Sequence, residues 1–242
     1  MAEQIIEGSI SVKAALLGRK RKVFELYIDK AKRDKNTHFI VCEAERCGVK
    51  ANFMTRDEID KIASGKTHGG IAALVGESTF CDAGSLFAAK KPFIALLEGV
   101  EDPYNFGDAI RSLYAAGATG LLLPERNWLS ATSTVLKASA GACEYIPTAV
   151  TDDFEAVLRL ARSKGITVLC AERKDAVPLY SVDLKKPIIF AVGGEMRGLS
   201  KKITDNADQN VYIPYGSDFR NALSAASACA VCGFEVMRQR MA

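Results

Sequence analysis

PFIALLEGVEDPYNFGDAIRSLYAAGATGLLLP, residues 92–124, decides the fold. PFIALLEGV is an apolar run without polar alternation, the pattern of a strand covered on both faces. DPYNFGDAIRSLYAAG (102–117) then switches to helical spacing, with Ile110, Leu113 and Tyr114 on the side to be buried. ATGLLLP is a second apolar strand. The alternation continues to the end of the chain. Helices are predicted in SATSTVLKASAGA, capped by Ser130, in DDFEAVLRLARSKG, in LSKKITDNA and from FRNALSAAS onward. Strands are predicted in CEYIPTAV, ITVLCAE, PIIFAVGGE and NVYIPY. Buried strands alternating with helices predict an α/β domain on a parallel sheet, spanning 93–242.

Toward the N-terminus, STFCDAGSLFAAKKP (78–92) carries little periodicity and reads as a linker. Residues 1–77 hold a smaller α/β unit of order α-β-α-β-α-β. Its helices are SISVKAALLG, stopped by Gly18, then THFIVCEAERCG, then RDEIDKIAS, which Thr55 caps with Glu58 three residues on. Its strands are VFELYID, VKANFMT and GGIAALVGE.

With 48% hydrophobic and 25% charged residues in 242, the composition is ordinary for a globular chain, so disordered and fibrous classes are excluded. No apolar run approaches the roughly 20 residues a membrane helix needs. MAEQIIEGSI lacks the basic start and apolar stretch of a signal peptide, and a cytoplasmic protein is expected. The seven cysteines fit reduced thiols packed as small hydrophobes. Cys229 and Cys232 form a CxxC inside a packed helix, which suits neither thioredoxin chemistry nor zinc. With His38 and His68 the only histidines, no metal site is expected. The net charge of +3 is mild, but GRKRK (18–22), Lys32, Arg33 and Lys35 cluster in the first unit. Such a cluster is either a solvated face or a contact for phosphate.

In parallel sheets ligands sit beyond the carboxyl ends of the strands. That rule brings three loops together: EDPYNFG, GGEMRGLS and PYGSDFRN. In the first, Asp102 or Asn105 caps the helix and Pro103 stiffens the turn. Arg111, near a helix start that attracts anions, makes a fork for phosphate or carboxylate. In the second, Gly193, Gly194 and Gly198 let a ligand approach the backbone. Glu195 among them can bond a ribose hydroxyl, a cation, or Arg197 as a plain ion pair. Neither GxxxxGK[ST] nor GxGxxG is present. In the third, a strand ending at Ile213 and Pro214 leads to a helix crowded with Ala, Ser and Cys, whose small side chains mean that another backbone packs close.

In order and spacing, NFGDAIRSLYAAG, VGGEMRGLS and the segment from IPY (213–215) to Phe234-Glu235 resemble the three motifs of the SpoU (TrmH-type) family of RNA 2′-O-ribose methyltransferases, in the SPOUT superfamily. The likeness runs from about residue 93 to the end. The first unit, closing on HGGIAALV, resembles the small ribosomal-protein-like RNA-binding domain that often precedes it. The resemblance implies a trefoil knot in the C-terminal part of the sheet, with S-adenosylmethionine (AdoMet) held there largely by backbone groups. It also implies a homodimer with its RNA-facing site near the subunit interface, and structured RNA as partner, ribosomal before transfer RNA.

Position by position, the resemblance matches Asn105, Arg111 and Glu195 to the polar residues of the first two motifs. It places Gly193, Ile213 and Leu223 at AdoMet, with Gly194 and Gly198 beside them. The third motif departs from the usual asparagine flanked by serines. Counting back from Phe234-Glu235 puts Ser224 at the asparagine's place, while the nearest asparagine is Asn221, one turn earlier. Methyl transfer needs a ribose 2′-oxygen in line with the sulfonium methyl and its phosphate fixed. A guanidinium with a pKa above about 12 is a poor proton acceptor. That casts Arg111 first as the clamp on the RNA phosphate, with Glu195 orienting it or the ribose. Two other readings stay open: a knotted base methyltransferase, and an RNA-binding assembly factor without catalysis.

Overall fold

The computed structural model describes residues 3–63, 65, 67–125 and 132–242. They form two compact units, residues 3–79 with 132–145, and residues 80–125 with 146–242.

The first unit contains β1 (Gln4–Glu7), α1 (Ser9–Gly18), β2 (Val23–Asp29), α2 (Lys35–Arg46), β3 (Ala51–Met54), α3 (Arg56–Ile62) and β4 (Ile71–Val75). Its sheet runs β1-β4-β2-β3, with β2 and β3 parallel and the other pairs antiparallel. The Thr55–Glu58 capping box starts α3 as its residues predict, a feature that contributes about 1 kcal/mol. β1 was not foreseen, because four residues are too few to show alternation. It forms by pairing with β4 and burying Ile6 completely.

Two helices from later in the chain complete this unit, α5 (Thr132–Ala138) and α6 (Ala142–Tyr145). Both pack on α1, and Leu136 joins Leu16, Leu26 and Ile40 in one core. Gly18 is required there: a Cβ would stand 2.2 Å from the Glu144 carbonyl oxygen. The strand expected across CEYIPTAV is therefore helical at its start. The cap predicted at Ser130 lies outside the described residues.

The basic cluster divides. Arg21 is buried with Glu144, their side chains 5% and 1% exposed and Nη2 lying 2.8 Å from Oε1. Arg21 Nε donates to the same oxygen at 3.0 Å, and Nη2 also donates to Ser78 Oγ. Lys20 Nζ donates to the Cys143 carbonyl. Arg19 and Lys22 remain exposed. Arg21 is thus an interior residue, a correction to its reading as a surface charge.

The second unit opens with a 3-10 helix, Ala83–Ala88, inside the segment expected to be a linker. Its Leu86 and Phe87 enter the unit's core. There follow β5 (Phe93–Glu98), α4 (Pro103–Ala115), β6 (Gly120–Leu123), β7 (Thr148–Val150), α7 (Phe154–Ser163), β8 (Thr167–Ala171), β9 (Ala176–Pro178), β10 (Ile188–Gly193), α8 (Lys201–Thr204), β11 (Gln209–Tyr212) and α9 (Ala225–Met241). The sheet order is β7-β6-β5-β10-β8-β11-β9, and every pair is parallel. Strand side chains alternate between faces. Ile94, Leu96, Ile189 and Ala191 pack with α7 residues Phe154 and Leu158 and with Ile203 of α8. On the other side α9 packs on β10, and α4 on α9.

The α4–α9 contact accounts for the small residues of α9. A Cβ at Gly233 would sit 3.1 Å from the Ala116 methyl. Cys229 and Cys232 are buried in this helix. Burial pushes the Cys232 thiol up to about 12 and raises that of Cys229 as well, so both stay protonated. Helix α9 begins at Ala225, not at Phe219 as expected, because the Ser224 hydroxyl caps it by accepting from the Ser227 N–H.

Candidate active site

Neighbouring strands deliver the three loops to one edge of the sheet. β10 lies between β5 and β8, with Gly193 opposite Glu98, and β11 follows β8. The loops after β5 and β10 are bonded to each other. The Gly194 N–H donates to the Glu98 carbonyl at 2.7 Å, and the Ser200 N–H donates to the Glu98 carboxylate at 2.6 Å. They also cross too closely for side chains. A Cβ on Gly194 would stand 1.8 Å from the Gly99 carbonyl oxygen; where the second loop folds back on itself, one on Gly193 would stand 2.4 Å from the Gly198 carbonyl carbon. These glycines therefore serve a backbone crossing first, and the surface they leave is backbone.

Glu195 joins the loops. Asp102 caps α4 by accepting from the Asn105 N–H at 2.8 Å, which turns the Asn105 side chain out of the cap. Asn105 Nδ2 then donates to Glu195 Oε1 at 3.2 Å, and the Ala225 N–H donates to the same oxygen at 3.2 Å. One carboxylate oxygen so ties the first turns of α4 and α9. Among the described residues no ion pair links Glu195 to Arg197 or to a lysine.

Two cavities meet at this residue. One of about 470 Å³ is lined by Gly193, Gly194, Gly198, Ile213, Leu223 and Arg173, among others. Another of about 190 Å³ is lined by Gly99, Asp102, Asn105 and Met196. Glu195 and Ala225 line both. The larger has the size and mixed lining of a small-molecule site, with apolar walls, bare backbone and a few charged groups. Five predicted contacts, Gly193, Gly194, Gly198, Ile213 and Leu223, thus share one cavity.

Arg111 lines neither cavity. It is exposed, and among the described residues no hydrogen bond or ion pair engages its guanidinium. The buried stripe of α4 is Phe106, Ala109, Ile110 and Leu113. A step of about 100° per residue carries Arg111 off that stripe. Tyr114, expected to be buried, is 42% exposed although it stands one turn from Ile110 on the edge of that stripe.

Residues 92–234 match the SpoU rRNA Methylase family, and residues 5–81 match the RNA 2′-O ribose methyltransferase substrate-binding family. The chain belongs to the SpoU rRNA Methylase family. It is accordingly an RNA 2′-O-ribose methyltransferase. Similar proteins include the 23S rRNA (guanosine-2′-O-)-methyltransferase RlmB of Pasteurella multocida, 30% identical over 247 residues and covering 100% of both chains. RlmB of Shewanella oneidensis is 29% identical over 242 residues, covering 98% of each. In fold, the chain matches the SpoU methyltransferase AviRb from Streptomyces viridochromogenes, solved in complex with the cofactor AdoMet. That match has a TM-score of 0.81 at 20% identity and covers 99% of this chain and 91% of that one.

Within the third SpoU segment the two candidates separate. Ser224 is the cap of α9, one residue before the N–H that meets Glu195. Asn221 is exposed, and its carbonyl accepts from Arg173 Nη2 at 3.3 Å. Arg173, on the larger cavity, escaped the sequence reading because it belongs to none of the three SpoU motifs; Tyr215, also on that cavity, lies inside the third motif but was not singled out there. The crossing at Gly194 carries a prediction. Gly194→Ala should lose about 3 kcal/mol or more, since the methyl meets rigid backbone, and AdoMet affinity should fall with it. Urea denaturation and calorimetry check this; wild-type values in both would show that the crossing yields.

Proposed function

We propose that this chain methylates the ribose 2′-hydroxyl of a guanosine in 23S ribosomal RNA, acting in the cytoplasm as a homodimer. The substrate follows from relatives that span the whole chain and are named for that reaction. The observation that carries the site is the double hydrogen bond of Glu195 Oε1 to Asn105 and Ala225. It sets the larger cavity against a second, smaller one, as a two-substrate reaction needs. Exposed aromatic side chains on α4 and α9, Tyr104, Tyr114 and Phe234, support an interface between copies on that side.

AdoMet in the larger cavity supplies a methyl on a cationic sulfur. Gly193, Gly194, Gly198, Ile213 and Leu223 hold it through backbone and apolar contact, in the part of the sheet where the family knot is placed. Asn105 and Glu195 orient the acceptor ribose, and Ser224, with Asn221 upstream, shapes the entry of α9. Arg111 grips the adjacent phosphate and stabilises the negative charge that builds on the 2′-oxygen as it takes the methyl and its proton passes to water at this exposed face. Its exposure leaves it open to an incoming strand. Positioning of this kind is worth up to about 7–11 kcal/mol in well-aligned reactions.

Incubation with labelled AdoMet and separation of ribosomal from transfer RNA tests the substrate. Alkaline hydrolysis tests the atom, because a 2′-O-methyl removes the nucleophile that cleaves the chain. Label is expected in 23S rRNA at one alkali-resistant guanosine step. Label in transfer RNA, or on an alkali-labile nucleotide, would overturn the proposal.

A further inference from the structure

Residues 213–224, between β11 and α9, contain neither helix nor strand, yet they form one wall of the larger cavity through Ile213, Tyr215, Ala222 and Leu223. One side chain from the end of β8 holds them. Arg173 Nη1 donates to the Arg220 carbonyl at 2.9 Å, and Nη2 to that of Asn221 at 3.3 Å. The same guanidinium lies 5.3 Å from the centroid of the Tyr215 ring. Tyr215 passes the constraint on, because its hydroxyl accepts from the Leu223 N–H at 3.2 Å. Arg173 therefore grips the loop at three points over seven residues.

We propose that Arg173 is a positioning residue for AdoMet, holding this loop closed over the cavity before the cofactor arrives. Ordering a dozen residues on each binding event would weaken affinity, and a clamp already in place removes that cost. Arginine suits the task because its planar fork reaches two carbonyls while its face stacks on a ring. An ammonium group cannot do both. The inference rests on the reading that the larger cavity takes AdoMet.

Calorimetry of AdoMet with the RNA-free full chain tests it, using wild type, Arg173→Ala, Arg173→Lys and Tyr215→Ala. Wild type should bind. Arg173→Ala should bind about tenfold more weakly, with Arg173→Lys failing to restore affinity. KM for AdoMet should rise in parallel while kcat stays within about twofold, and the ligand-free Tm should not move. Trypsin should cut the loop at Arg220 faster in Arg173→Ala without AdoMet. If wild type fails to bind, the reading of the cavity falls and the inference with it. If wild type binds and Arg173→Ala binds equally well, only the inference falls. Should Arg173→Ala lower the Tm, Tyr215→Ala decides, since it removes the stacking partner and leaves the arginine; unchanged affinity there overturns the clamp.

Discussion

Arg111→Ala is expected to reduce methyl transfer by about 10²- to 10³-fold, the loss seen when a group stabilising developing negative charge is removed. AdoMet affinity should stay at the wild-type value, because Arg111 lines neither cavity. This split is the test of the role. A residue that holds the cofactor would lower affinity, and one that supports α4 would lower stability. Arg111 does neither, being exposed and off the stripe that packs on α9. Arg111→Lys should recover little, since a single ammonium cannot present a fork to phosphate. Single-turnover assays with saturating AdoMet measure the effect. Wild-type turnover in Arg111→Ala would remove the phosphate clamp from the mechanism.

Arg21→Ala is expected to cost about 3–5 kcal/mol of stability, because it strands a carboxylate in the interior. Glu144 is 1% exposed, and its Oε2 already lacks a hydrogen-bond partner, so Oε1 and its arginine carry the whole charge. The double variant Arg21→Met with Glu144→Leu should recover most of the loss, since apolar side chains of like volume avoid the desolvation penalty. Urea denaturation of the two singles and the double closes the cycle. A single-variant loss under about 1 kcal/mol would mean that water reaches the pair. RNA affinity should fall less for Arg21→Ala than for Arg19→Ala, which removes an exposed charge.

Much of the fold is written locally. The apolar runs of β5, β8 and β10 are read from a few adjacent residues, as are the cap at Thr55 and, as one of two candidates, the cap at Asp102. Periodicity and capping act over one or two turns, so a short window contains them. The motif residues around Glu195 were legible too, as identities at set spacings. Their bonding was not. The oxygen that Glu195 shares between Asn105 and Ala225 joins positions 90 and 30 residues away.

By itself, then, the sequence determined the alternation of strands and helices, the three loops at the sheet's carboxyl edge, and the residue types gathered there. Tertiary structure alone decided which charges face inward. Arg21 reads as one of four basic residues in a surface run until Glu144, 123 positions later, folds against it. Packing also sent helices α5 and α6 to the first unit, turned Arg111 and Tyr114 to the outside of α4, and recruited Arg173 to a loop 47 residues on. The physical reason is common to all of these. A partner distant in sequence is chosen by which surfaces meet when the chain closes, and no local pattern carries that information.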